Sequence, residues 1–147
     1  MIQDKSLGLK FFIPEVLEVE GVFFADSGIS AGFPSPADDF KEQRISLDKT
    51  LIKNKEATFY ARVSGQSMIG AGLDNNDLLI IDRSLEPENG KIAVCFLDGE
   101  FTVKRLKVTK EGIWLQPENP SYNPIQITEE NEFIIWGIVT HVIKKMI

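Results

Sequence analysis

The sequence predicts a mostly β fold, curled and barrel-like, preceded by a flexible N-terminal arm. Three observations carry this reading. From Thr58 onward, short apolar runs recur at close intervals with turn residues between them. Helical periodicity is scarce beyond residue 55, and two of the runs are joined by Asp98-Gly99, a pair suited to the left-handed conformations of a type I′ hairpin turn. Strands at this spacing with little helix make a sandwich or a barrel, and in a chain of 147 residues they make one domain.

Residues 1–31 contain short apolar patches, "LKFFI" and "GVFF", without a sustained period, and two lysines stand there against five acidic residues. This reads as an extended arm. In "GFPSPADDF", Ser35 can cap a helix with Pro36 at its first position and Asp38 and Asp39 in its first turn, so one or two helical turns are expected through Phe40, Ile45 and Leu47. The alternating "TFYARVSG" predicts a strand, and "DNNDLLIID" a turn and then an apolar strand. A hairpin follows in "KIAVCFLDGEFTVKRLKV", and "GIWLQP" and "EFIIWGIVTHVIKK" supply two more strands, about six in all.

Composition narrows the function. The formal net charge is -6 and the basic residues are scattered, whereas nucleic-acid affinity rests on gathered Lys and Arg that neutralise phosphates. Direct nucleic-acid binding is therefore not expected, and any link to DNA should run through another protein. The single cysteine, Cys95, lies in an apolar run and reads as a buried small hydrophobe, which suits a reducing cytoplasm. No run is long enough to span a bilayer, the N-terminus lacks the pattern of a secretory signal, and no Cys/His cluster has metal-ligand spacing. The expectation is a cytoplasmic protein with no membrane contact, no cofactor and no metal.

The stretch "SGQSMIGAG", residues 64–72, follows one predicted strand and precedes a turn. A serine at such a junction, Ser67, has its own amide and the preceding one free, because the first amides of a helical turn lack intrahelical acceptors. Two free amides beside a hydroxyl can form an oxyanion hole; by itself, however, the stretch reads more simply as a glycine turn with Ser67 as a cap. A nucleophile needs a base. His141 is the only histidine, and alternation places it with Val139 and Ile143 on one strand face, as a core-edge residue. Lysine is the other route, provided that it is neutral near pH 7. Bringing any lysine from about 10.4 to about 7 takes on the order of 4 to 5 kcal/mol of differential solvation, so the base must lie in an apolar wall. Lys104 in "EFTVKRL" is mid-strand, sharing its face with Thr102 and Leu106, while Arg105 and Lys107 are placed for solvent. Taken alone, it also reads as a strand lysine reaching out to water.

Three motifs in register, "SAGFPSPADDFKEQRISL", "RVSGQSMIGAGLDNNDLLIID" and "DGEFTVKRL", resemble the LexA/UmuD family of self-cleaving Ser-Lys proteases. The likeness runs from about Val22 to the end and takes in "PENPSYNPIQI" and "FIIWGIVTHVIK". It implies Ser67 as nucleophile, Lys104 as general base, the amides of Gln66 and Ser67 as oxyanion hole and Ala31-Gly32 as the scissile bond. The chain then divides into a cleavable arm, 1–31, and a protease and dimerisation domain, 32–147. The resemblance further implies a homodimer, stimulation by RecA filaments on single-stranded DNA, and service to a UmuC-type translesion polymerase, with the replicative sliding clamp as a further contact. Residues ahead of the Ala-Gly pair are too few for a helix-turn-helix, which disfavours a LexA-like repressor. Of the rival classes, a signal peptidase would need a membrane anchor, and a non-catalytic dimeric interaction module would have no need of an intact Ser67, Lys104 and Ala31-Gly32.

Overall fold

The computed structural model describes residues 9–15, 22–25, 32 and 42–147. Strands β1 (Leu9–Phe12), β4 (Thr58–Val63), β5 (Leu78–Asp82), β6 (Ile92–Leu97), β7 (Glu100–Thr109), β8 (Gly112–Gln116), β9 (Ile125–Gln126) and β10 (Phe133–Ile143) form one curled antiparallel sheet in the order β1-β4-β5-β10-β6-β7-β8-β9. Strands β2 (Val22–Ala25) and β3 (Glu42–Ile45) form a separate two-stranded antiparallel sheet. The predicted mostly β class holds.

The strands expected after Thr58 are all present. Asp98 and Gly99 take φ of 48° and 89° between β6 and β7, the left-handed pair that a type I′ turn requires. The expected helix is different. Ser35 and Phe40 lie outside the described residues, but Glu42–Ile45 is strand and helix α1 (Leu47–Leu51) starts only after Ser46. Ser46 is the cap: its hydroxyl accepts from the Lys49 amide at 3.4 Å, and Asp48 sits in the first turn, where helix N-termini favour negative charge. Glu42–Ile45 pairs instead with Val22–Ala25, a long-range partner that a local capping pattern does not reveal.

In the segment read as an arm, Leu9–Phe12 pairs with Tyr60–Val63 of β4 as an edge strand of the large sheet. Leu9 is buried and Phe11 half-buried, while Lys10 and Phe12 face outward. Four residues are too few to display a period in sequence, yet enough to add an edge. Phe11 meets Phe101 and Trp136 edge-to-face, with centroids 4.9 and 4.8 Å apart, and Phe59 meets Trp136 at 5.1 Å. The apolar residues form two clusters. Leu9, Val63, Met68, Leu79, Ile81, Val94 and Val103 belong to one, and Ala93, Cys95, Leu106, Leu115 and Ile138 to the other. Successive β6 residues alternate between them, as a strand covered on both faces must.

Strand β10 bridges the halves of the sheet, pairing with β5 on one side and β6 on the other, and it carries two irregularities, between Ile135 and Gly137 and between Val139 and His141. The second changes the fate of His141. Expected at a core edge, it is exposed, and its Nδ1 lies 3.0 Å from the Thr140 hydroxyl. A bulge inserts one residue and breaks the alternation on which that expectation was built. Gly137 is buried in the same strand, and a Cβ there would meet Ile81 Cγ2 at 2.5 Å and Arg83 Cγ at 3.2 Å. Ile81 is wholly buried and β-branched, so it has little freedom to yield. Gly137→Ala should therefore lower stability by about 1 to 3 kcal/mol. Urea unfolding will show this as a lower midpoint at unchanged slope.

Candidate active site

Ser67 lies in a turn between β4 and a single 3₁₀ turn at Ile69–Ala71. Its neighbour explains the Ser-Met step: Met68 is buried in the core cluster, and its carbonyl accepts from the Ala71 and Leu73 amides at 3.0 and 3.1 Å, so the loop is plugged into the core beside the serine. Gly65 has φ of 101°, a left-handed value open to glycine, and its amide donates to Asn75 Oδ1 at 3.2 Å. Ser67 is not a helix cap. Met68 holds that position, without a side-chain bond, and the Ser67 hydroxyl is engaged elsewhere.

Its partner is Lys104. The Nζ donates to Ser67 Oγ at 2.9 Å, to Thr102 Oγ1 at 2.7 Å and to the Val103 carbonyl at 3.1 Å. Lys104 is only 7% exposed; it sits across from the fully buried Ala93, with Cys95 opposite Thr102. Burial lowers its pKa below the ordinary 10.5, because a charged ammonium is poorly solvated there. Burial likewise pushes the Cys95 thiol up to about 12, so at neutral pH it is uncharged and does nothing to keep Lys104 protonated. An ammonium would fill all three contacts with N–H donors. A neutral amine would keep two N–H groups for Thr102 and Val103 and turn its lone pair to Ser67, whose O–H could then donate to it. Thr102 thus has a part that its place on the lysine's face only hinted at.

The two residues meet in a cleft with apolar wall from Leu9, Val63, Leu73 and Phe101 and polar side chains from Gln66 and Tyr122. Among the described residues, the amides of Gln66 and Ser67 have no hydrogen-bond acceptor, the free state expected of them. Ala31 lies outside the described residues, and Gly32 is described only as a bend. His141 does not line the cleft. Arg105, expected in solvent, is half-buried and pairs with Glu118 at 2.5 Å. Glu118, Asn119 and Tyr122 come from "PENPSYNP", where nothing local marks them as neighbours of Ser67. Among the described residues, no group of three His, Cys, Asp or Glu side chains could hold a metal ion, and no helix is long and apolar enough to cross a membrane.

The curled antiparallel sheet places a serine hydroxyl against a buried lysine, and the match to a peptidase family puts the protein in the serine-peptidase class. The chain belongs to the Peptidase S24-like family, which matches residues 24–140. It is 45% identical to Protein ImpA of Salmonella typhimurium over 122 residues, covering 83% of this chain and 82% of that protein. It is 40% identical to Protein MucA of Escherichia coli over 124 residues, 84% of each. Similarity extends to the LexA repressor of Delftia acidovorans, 37% identical over 116 residues, which are 79% of this chain and 51% of the repressor. The resemblance to the LexA/UmuD family is borne out.

The lowered pKa has a consequence for stability. Between the depressed folded value and the ordinary 10.5 of the unfolded chain, the unfolded state binds more protons, so this group's contribution rises with pH across that window and is least below it. Lys104→Met carries no such penalty. Its urea midpoint relative to the parent should be most favourable at pH values below the depressed folded pKa, and the advantage should shrink as the pH rises through that window toward 10.5. A gap independent of pH would mean that Lys104 is not desolvated.

Proposed function

We propose that this protein is a self-cleaving Ser-Lys protease of the SOS mutagenesis type, cutting its own chain at Ala31-Gly32. The observation that carries the reading is the 2.9 Å contact between Ser67 Oγ and a buried Lys104 Nζ. Neutral Lys104 takes the Ser67 proton as Oγ attacks the Ala31 carbonyl carbon. The amides of Gln66 and Ser67 receive the developing oxyanion. Lys104 then passes its proton to the Gly32 nitrogen as the Ala31–Gly32 C–N bond breaks, leaving the Ala31 carbonyl esterified to Ser67. A water molecule, deprotonated by Lys104, hydrolyses that ester and restores Ser67. Because the substrate is a segment of the same molecule, its effective concentration is high and a modest catalyst suffices.

The family resemblance supports the biological setting: RecA filaments on single-stranded DNA stimulate cleavage, and the processed homodimer, residues 32–147, serves a UmuC-type translesion polymerase, with the sliding clamp as a further contact. RecA acts in this reading by favouring the docked arm, a population shift that needs no residue donated to the site.

Mass measurement of the purified protein, alone at alkaline pH and with RecA, ATP and single-stranded DNA, tests this. A fragment beginning at Gly32 is expected, and Ser67→Ala and Lys104→Met should each abolish it while His141→Ala leaves it intact. The spontaneous rate should go on rising above about pH 8, following neutral Lys104, whereas a histidine base of ordinary pKa near 6.5 would already have levelled off. A plateau from pH 7.5, or loss of cleavage in His141→Ala, overturns the lysine mechanism.

A further inference from the structure

The loop that presents Ser67 is fastened from outside by the segment after β8. The Asn119 Nδ2 donates to the Gln66 carbonyl at 2.8 Å, and the Ile69 amide donates to the same oxygen at 3.3 Å. The Glu118 amide donates to the Ser67 carbonyl at 2.9 Å, and the Glu118 carbonyl accepts from the Gly70 amide at 2.7 Å. In a trans peptide the C=O and N–H point in opposite directions, and every described peptide bond is trans. Tying down the Gln66 carbonyl therefore aims the Ser67 N–H the other way, away from the fastening segment. Tying down the Ser67 carbonyl does the same for the next peptide plane.

The segment is itself held. Pro117 is buried ahead of Glu118, and Pro120 fixes the chain just after Asn119. Asn119 Oδ1 accepts from the Ser121 amide at 2.9 Å, which leaves the Nδ2 end facing Gln66. The Glu118 carboxylate accepts from Arg105 Nε at 2.5 Å, and Arg105 Nη1 donates to the Gly90 carbonyl at 2.6 Å. Gly70 permits the close approach, since a Cβ there would stand 2.6 Å from the Glu118 oxygen. Arg105 is the residue after Lys104. One strand thus supplies the amine and anchors the backbone that carries the hydroxyl.

We infer that Asn119, Glu118 and Arg105 are positioning residues that hold the Ser67 loop and aim its amide at the oxyanion; this rests on the Ser67–Lys104 chemistry proposed above. Asn119 acts directly on the peptide plane, and Arg105 acts through Glu118. None of the three touches the reacting atoms.

Asn119→Ala removes the donor to Gln66 without placing a charge near Lys104. Its self-cleavage should slow by on the order of 10- to 100-fold, somewhat less than the loss of an oxyanion donor outright, with the inflection of the pH profile unmoved. Glu118→Gln preserves both backbone bonds and should slow cleavage by several-fold, and the double variant Arg105→Gln/Glu118→Gln should be no slower than the worse single one. Labelling of Ser67 by a fluorophosphonate, which needs no docked arm, should fall in parallel. Rates and labelling within twofold of the parent overturn the inference. So does a loss recovered at high pH with the inflection displaced upward, because the residues would then only keep Lys104 dry. A parent that labels without cleaving itself defeats self-cleavage alone, and labelling of the variants then decides the positioning role. A parent that does neither defeats both.

Discussion

The desolvation of Lys104 is the constraint on which the site depends. A lysine left in water is protonated at neutral pH and has no lone pair to offer, and here burial in an apolar wall works against that charge. β7 supplies the wall from within a sheet covered on both faces: Ala93 lies opposite, Cys95 is next along, and Thr102 and the Val103 carbonyl satisfy the amine so that its burial leaves no donor wasted. Unpaired, the same group would be a costly defect in the core. Its third direction points at Ser67, so satisfying the amine and orienting the serine are one arrangement.

The rest of the sheet is built so that this pair can meet. Ser67 comes from the β4–β5 connection and Lys104 from β7, strands that do not adjoin; β5, β10 and β6 lie between β4 and β7 in the sheet order. In the curled sheet the β4–β5 connection and β7 nonetheless line one cleft. Part of the arm contributes as well. β1 closes the free edge of β4, Leu9 lines the cleft, and Phe11 packs on the Phe101 ring that also lines it. A segment on the N-terminal side of the proposed scissile bond is thus structural material for the domain that would cut it.

Strand identity after Thr58 was legible because apolar alternation and turn residues are local signals, and the Asp98-Gly99 turn carries its backbone conformation in its two residue types. Ser67 and Lys104 were legible only as candidates, since glycine-rich junctions and strand lysines are common; the family motifs in register singled them out. The helical turns expected to run through Ile45 are replaced there by strand, because Glu42–Ile45 takes a partner some twenty residues back in the chain, and His141 came out exposed because a bulge shifts a strand's facing without any mark in composition. Both errors are local patterns overruled by pairing.

The sequence by itself determined the β class, the positions of most strands, the acidic balance with its basic residues scattered along the chain, and the residue types needed for a serine and an amine. Those follow from periodicity, charge and side-chain chemistry, which are properties of residues and their near neighbours. Tertiary structure alone decided that Lys104 is dry, that its Nζ lies 2.9 Å from Ser67 Oγ, and that Arg105, Glu118 and Asn119 fasten the serine loop. Desolvation and hydrogen-bond geometry depend on which distant segments pack together, and the order of strands in a sheet is not written in any one of them.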